Sequence, residues 1–100
     1  EMPTAIICAN DDMARGVLKA LSEKNIDVPG QVSVIGYDDA NTEHNEDEGL
    51  SSVRQPVEKM AKYCMDFIYD VIISNGSKDL NVRMEPELII RKSVAPPSNS

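Results

Sequence analysis

Asn10 and Asp38 are the side chains best placed to do chemistry, because each stands where an apolar segment stops abruptly. The first segment, Thr4-Ala5-Ile6-Ile7-Cys8-Ala9, gives way to Asn10-Asp11-Asp12-Met13-Ala14. The second, Val32-Ser33-Val34-Ile35-Gly36-Tyr37, gives way to Asp38-Asp39. Polar groups at the carboxyl ends of neighbouring parallel strands point into the crevice where such sheets bind ligands. Asn10 offers an amide donor and an acceptor together, which suits hydroxyl-rich or heterocyclic small molecules. The same residue type suits a helix N-cap, and the two roles are compatible. A carboxylate at the end of an apolar strand is costly unless it is solvated or bonded to donors. For Asp38, a bound sugar or purine would supply those donors, and a solvated loop is the alternative account. Asp39 reads as a residue that caps or orients the following loop, and Tyr37 as core packing rather than a stacking platform.

These residues make a poor catalytic centre. Asp38 and Asp39 are neighbours, and neighbours along a strand point to opposite faces, which spoils an acid/base pair. The chain has no Gly-x-Ser-x-Gly elbow, no phosphate-binding glycine loop and no Cys–His pairing. Cys8 and Cys64 sit in apolar surroundings without Cys-x-x-Cys spacing, and both are expected as buried free thiols in a reducing cytoplasm. Calcium fails on spacing: the third, fifth and sixth positions from Asp38 are Ala40, Thr42 and Glu43, where an EF-hand needs oxygen ligands and then glycine. His44, the one histidine, reads as an exposed residue among carboxylates. No catalytic residue, no metal ligand and no cofactor site is expected, and the chain is not expected to be an enzyme.

The elements that must position Asn10 and Asp38 follow from periodicity. Residues 4–9 read as a short buried strand. Asn10 caps a helix whose first turn holds Asp11 and Asp12, favoured there by the helix dipole. Ala14, Val17, Leu18 and Leu21 recur at helical spacing, Asn25 ends the helix, and Pro29-Gly30 marks a turn. Residues 32–37 read as a second strand, so the unit is βαβ with parallel strands. Residues 38–49 read as a polar loop. Pro56 suits the first turn of a second helix, whose apolar face comprises Val57, Met60, Ala61, Cys64, Phe67, Ile68, Val71 and Ile72. Asn75-Gly76 stops it. A final strand centred on Leu88-Ile89-Ile90 lies within residues 82–94, and residues 96–100 read as a frayed tail.

Composition narrows the class. The 100 residues carry a net charge of −7, with 41% hydrophobic content, the balance of one small globular domain. Of the charged side chains, residues 1–50 hold 11 acidic and 3 basic, and residues 51–100 hold 6 and 7. Phosphate neutralisation dominates DNA affinity, and no basic patch appears, so another part of a parent chain would have to touch DNA. No apolar run approaches the ~20 residues of a membrane span. The opening Glu1-Met2-Pro3 shows no signal peptide, although the chain reads as truncated.

Thr4–Ala14, Val32–Asp39 and Leu50-Ser51-Ser52-Val53-Arg54-Gln55-Pro56, in this order and spacing, resemble the sensor domain of the lactose-repressor/galactose-repressor (LacI/GalR) family of bacterial transcription regulators. The resemblance runs over nearly the whole chain and covers the last part of that sensor. It implies an α/β, layered parallel-sheet domain of the periplasmic-binding-protein-like type I, of which residues 1–100 would be the carboxyl-terminal portion. Residues 4–49 and about 86–95 would belong to the carboxyl-terminal lobe, and about 52–76 would be a helix of the amino-terminal lobe. Crossovers would fall near Ser51–Arg54 and within roughly residues 75–87. The resemblance implies Asn10 and Asp38 as contacts to a sugar-like effector, whose binding shifts lobe closure and so operator affinity. It implies a cytoplasmic homodimer that reaches DNA only through a missing amino-terminal headpiece, with no membrane partner. Family dimers pair through surfaces that are often apolar, whereas this chain carries Arg15 and Lys19 on the first helix and Glu43, Glu46, Asp47 and Glu48 after the Asp-Asp motif. The expectation is that the basic pair of one chain faces the acidic run of its partner. The orphaned second helix must pack on its own βαβ unit or be covered by another chain. A periplasmic-type sugar-binding protein of an importer is the alternative, and a small-molecule enzyme the rival from another class.

Overall fold

Three short strands run parallel because a helix or a polar excursion returns the chain to the same sheet end each time. In the computed structural model, which describes residues 2–74 and 81–97, β1 (Ala5–Ile7) pairs in parallel with β2 (Ser33–Ile35), Ile6 opposite Val34. Backbone bonds extend the pairing at both ends, from Ser33 N–H to the Thr4 carbonyl and from Cys8 N–H to the Ile35 carbonyl, each 2.9 Å. β3 (Ser52–Arg54) joins β2 through parallel bridges at Ile35–Ser51 and Asp38–Arg54, and pairs antiparallel with β4 (Glu87–Ile89). The parallel βαβ unit matches the expectation. β4 falls within the predicted segment, one residue ahead of the predicted centre.

The chain divides into two compact units, residues 1–54 with 87–100, and residues 55–86. In the first unit, α1 (Asp11–Glu23) packs one face on the sheet. Ala14, Leu21, Val32, Val34, Leu50 and Cys8 form the core, flanked by Ile6, Val17, Leu18, Ile26 and Val28. Removing Val and Leu side chains from water contributes about 1.5–3 kcal/mol each, so these few residues carry most of the unit's hydrophobic stability. Asn25, at φ 57°, turns the chain out of α1 as predicted. β1, expected to be buried, is covered on one side only: Ile6 packs inward and Ile7 is 83% exposed. A parallel strand needs cover on both faces, and within the described residues one face of β1 has none.

Residues 38–49 are not all loop. Thr42–Glu48 form α2, a short helix capped by the Asn41 side chain, which accepts from His44 N–H at 3.2 Å, and closed by Gly49 at φ 74°. Local polarity hid it, since an all-polar helix has no apolar stripe to read. After β4, buried serines replace ladder bonds. Ser93 N–H donates to the Gly49 carbonyl, the Ser93 carbonyl accepts from Val34 N–H, and Ser93 Oγ bridges Ser51 N–H and the Val34 carbonyl. Ala95 is tied to Ser33 Oγ through both its N–H and its carbonyl, 3.0 Å each. The predicted tail beyond it lies, at residues 98–100, outside the described residues.

The second unit is α3 (Val57–Ser74), which begins just after Pro56. Its apolar face has the predicted period, yet α3 has no buried residue, and Val57, Ile68 and Ile72 are at least half exposed. Cys64, expected to be buried, is exposed because it lies on this bare face; Cys8 is buried as expected. The Asn75-Gly76 stop lies outside the described residues. No described helix is long and apolar enough to cross a membrane.

Candidate functional site

Asn10 and Asp38 sit just beyond the carboxyl ends of the adjacent strands β1 and β2, both half-buried. Asn10 is the α1 N-cap: its Oδ1 accepts from Met13 N–H at 2.8 Å, so the cap uses the acceptor of the amide and not its N–H donors. Asp38 stands on the turn out of β2 at φ 108°, followed by Asp39 at φ 52°. Two consecutive non-glycine residues with positive φ are uncommon and persist only where the surroundings over-determine them. Here Asp38 N–H donates to the Val53 carbonyl at 2.9 Å and Asp39 N–H to Ser52 Oγ at 3.1 Å. Gly36 lets this edge form. A Cβ there would collide with Asp11 Oδ1 and lie 3.3 Å from the Ala14 Cβ, so α1 approaches β2 as only glycine allows.

Behind the edge lies a buried polar cluster. The Asp39 side chain is fully buried and receives Arg91 at 2.8 and 3.2 Å, Arg54 at 2.9 and 2.8 Å, and Asn45 Nδ2 at 2.8 Å. The Arg91 guanidinium beside Asp39, aided by Asn45 and Arg54, holds its carboxyl well below the usual carboxylate range against the opposing effect of burial. Asn45 is itself wholly buried and fully satisfied. Its two N–H groups go to Asp39 Oδ1 and to Asp11 Oδ2 at 2.9 Å, and its oxygen accepts from Arg15 Nη1 at 2.8 Å. Asp11 is closed on its other oxygen by Ser52 Oγ at 2.7 Å. No described buried side-chain polar atom lacks a partner.

Asp39 does orient the next segment, since Thr42 Oγ1 donates to its carbonyl and carboxylate. Its role as the shared counter-ion of two arginines was not expected. Tyr37 is 37% exposed rather than packed in the core, because β2 has ended and the sheet no longer covers it. His44 is exposed, as expected, and pairs with Glu48 one turn on. Of the residues singled out for pairing between chains, Arg15 is one-quarter exposed and binds Asn45 and Asp12 of its own chain. Lys19, Glu43, Glu46 and Asp47 are exposed.

A family model described as a periplasmic binding protein-like domain matches residues 1–94. The HTH-type transcriptional repressor PurR of Histophilus somni (strain 2336) is 34% identical over 94 residues, which covers 94% of this chain and 28% of that repressor. The structure is similar to the dimeric Lac repressor with an 11-residue C-terminal deletion, with a TM-score of 0.82 and 27% identity over 95% of this chain and 35% of that one. A sugar-binding transcriptional regulator of the LacI family from Escherichia coli, complexed with phosphate, gives a TM-score of 0.73 and 36% identity over 93% of this chain and 34% of that one. The chain belongs to the LacI/GalR family. It has the periplasmic-binding-protein-like fold and is part of a ligand-binding domain, and it spans about a quarter of the length of the curated relatives it matches.

Within this LacI/GalR chain, sequence reasoning found the strand-end pair and missed the cluster that backs it. Asn45 lies in a run of acids, and Arg54 and Arg91 are 15 and 52 residues from Asp39. The available signal was Asn41 with Gly49, a cap and a left-handed terminator eight residues apart. That spacing would have revealed α2 and placed Asn45 on its inner face.

Proposed function

We propose that Asn10 and Asp38 contact the effector of a LacI/GalR-type regulator, a hydroxyl-rich small molecule such as a sugar. The observation that carries this reading is their shared position beyond the carboxyl ends of two adjacent parallel strands, one side chain presenting amide donors and the other a carboxylate. The sugar assignment is supported by the chemistry of this pair and by the sugar-binding regulator among the relatives. Residues 4–49 and about 86–95 form the carboxyl-terminal lobe in this proposal, and α3 belongs to the amino-terminal lobe. The unit boundaries after Arg54 and before Glu87 support that division, with β3 held in the first unit by its pairing to β2 and β4. The effector binds one lobe arrangement better, and its differential affinity sets the operator affinity of an amino-terminal headpiece. Chains pair as a homodimer through α1 and α2, with Lys19 facing the acids of the partner's α2 while Arg15 braces α2 from within its own chain. The regulator works in the cytoplasm and is not an enzyme.

A thermal-shift panel of monosaccharides, disaccharides and nucleosides on the full-length protein tests the reading, because a ligand that binds only the folded state raises the melting temperature. A sugar that stabilises the protein is expected. Stabilisation by nucleosides alone would move the effector class to heterocycles.

A further inference from the structure

Of the two arginines that bind the buried Asp39 carboxylate, Arg54 stands where the chain leaves the first unit and Arg91 follows β4, the strand on which it returns. Arg54 is the last residue before the chain leaves the first unit, and β4 begins at Glu87, the first residue after it returns. β3–β4 pairing sets Arg54 opposite Glu87, so the two passages lie side by side in one ladder. Arg91, two residues beyond β4, bonds both Asp39 and the Leu50 carbonyl at 2.6 Å, which fixes the strand after the second passage to the strand before the first. The Asp38 turn is attached to the same ladder through Val53 and Ser52. A largely buried polar network whose partners are all satisfied rigidifies the segments it joins.

We propose that Asp39 is a positioning residue: its carboxylate locks the Asp38 turn and both chain passages into one rigid block, so that a ligand on Asp38 is felt at the passages. The last clause rests on the proposed effector role of Asp38; the rigid block does not. The same carboxylate helps the strained turn survive, because it anchors the residue next to a backbone held at φ 108°.

Hydrogen–deuterium exchange on the full-length protein, resolved to peptides, tests the block without any ligand. Asp39→Asn should speed exchange in residues 36–41, 50–56 and 86–92 by roughly tenfold or more, the size expected when buried donors lose a charged partner. Residues 5–8 and 32–35 should change several-fold less. Arg54→Gln, at a side chain 40% exposed, is the milder variant and should loosen 36–41 and 50–56 in the same pattern; it carries the test alone if Asp39→Asn does not fold. Uniform acceleration across all five segments would make Asp39 an ordinary stabilising residue and overturn the proposal, as would no acceleration. Because the exchange test uses no ligand and the effector reading is tested by ligand titration, failure of the effector reading and failure of the block are separable.

Discussion

At the scale of single residues, the charge on Asp39 outweighs its shape. Asp39→Asn keeps the side-chain volume but leaves Arg91, 9% exposed, facing a neutral partner. Removing one member of a buried pair costs about 3–5 kcal/mol, and Arg54, partly solvated, softens that toward the lower end. Urea denaturation should therefore show a loss of about 3 kcal/mol near neutral pH. The pH dependence has a definite sign. Asp39 in the fold is held below the usual range, while in the unfolded chain an aspartate titrates near pH 4. Its contribution is thus complete above about pH 4 and is lost as pH falls below it, because the unfolded state takes up the proton first. The stability gap between wild type and Asp39→Asn should narrow in acid, and a gap that stays constant from about pH 6 to pH 3 would contradict the assignment. The strand-end positions of Asn10 and Asp38 were legible in the sequence because an abrupt apolar-to-polar boundary is a local signal. Asp39, Asn45 and Arg91 were not, because their meaning lies in partners distant along the chain.

At the scale of elements, caps and glycines decide where the short helices sit. α2 is seven residues long, too short to be stable alone, so it depends on Asn41 at one end, Gly49 at the other and Asn45 beneath. Gly49→Ala would hold an alanine at φ 74° with its Cβ 3.0 Å from the Lys92 Cβ. A left-handed alanine costs about 1–2 kcal/mol before any clash, so thermal denaturation should register at least that loss. Gly16→Ala, whose added methyl would meet nothing within 4 Å, should be neutral or mildly stabilising. Equal behaviour of the two variants would show that the Gly49 backbone is not constrained as described. The βαβ unit was readable from period and capping alone. β3 was not, because Leu50-Ser51-Ser52-Val53-Arg54 places serines where a strand pattern would show apolar residues, and those serines prove to be buried hydrogen-bonding groups.

At the scale of the whole molecule, the described residues leave two apolar surfaces exposed, the outer face of β1 around Ile7 and the length of α3. Charge should govern pairing between copies only weakly. Exposed ion pairs contribute about 0–1 kcal/mol each, so sedimentation of the full-length protein should show a dimer that weakens modestly with salt, and Lys19→Glu should weaken it further. A dimer indifferent to both would remove Lys19 and the α2 acids from the interface. The central claim, that the carboxylate after β2 holds the effector, is tested most directly by calorimetric titration of full-length wild type and Asp38→Asn with whichever sugar the thermal-shift panel identifies. The substitution keeps the shape and removes the charge and one acceptor, so affinity should fall by about 1–3 kcal/mol, roughly five- to 150-fold. Unchanged affinity in a variant that melts like wild type would contradict the claim.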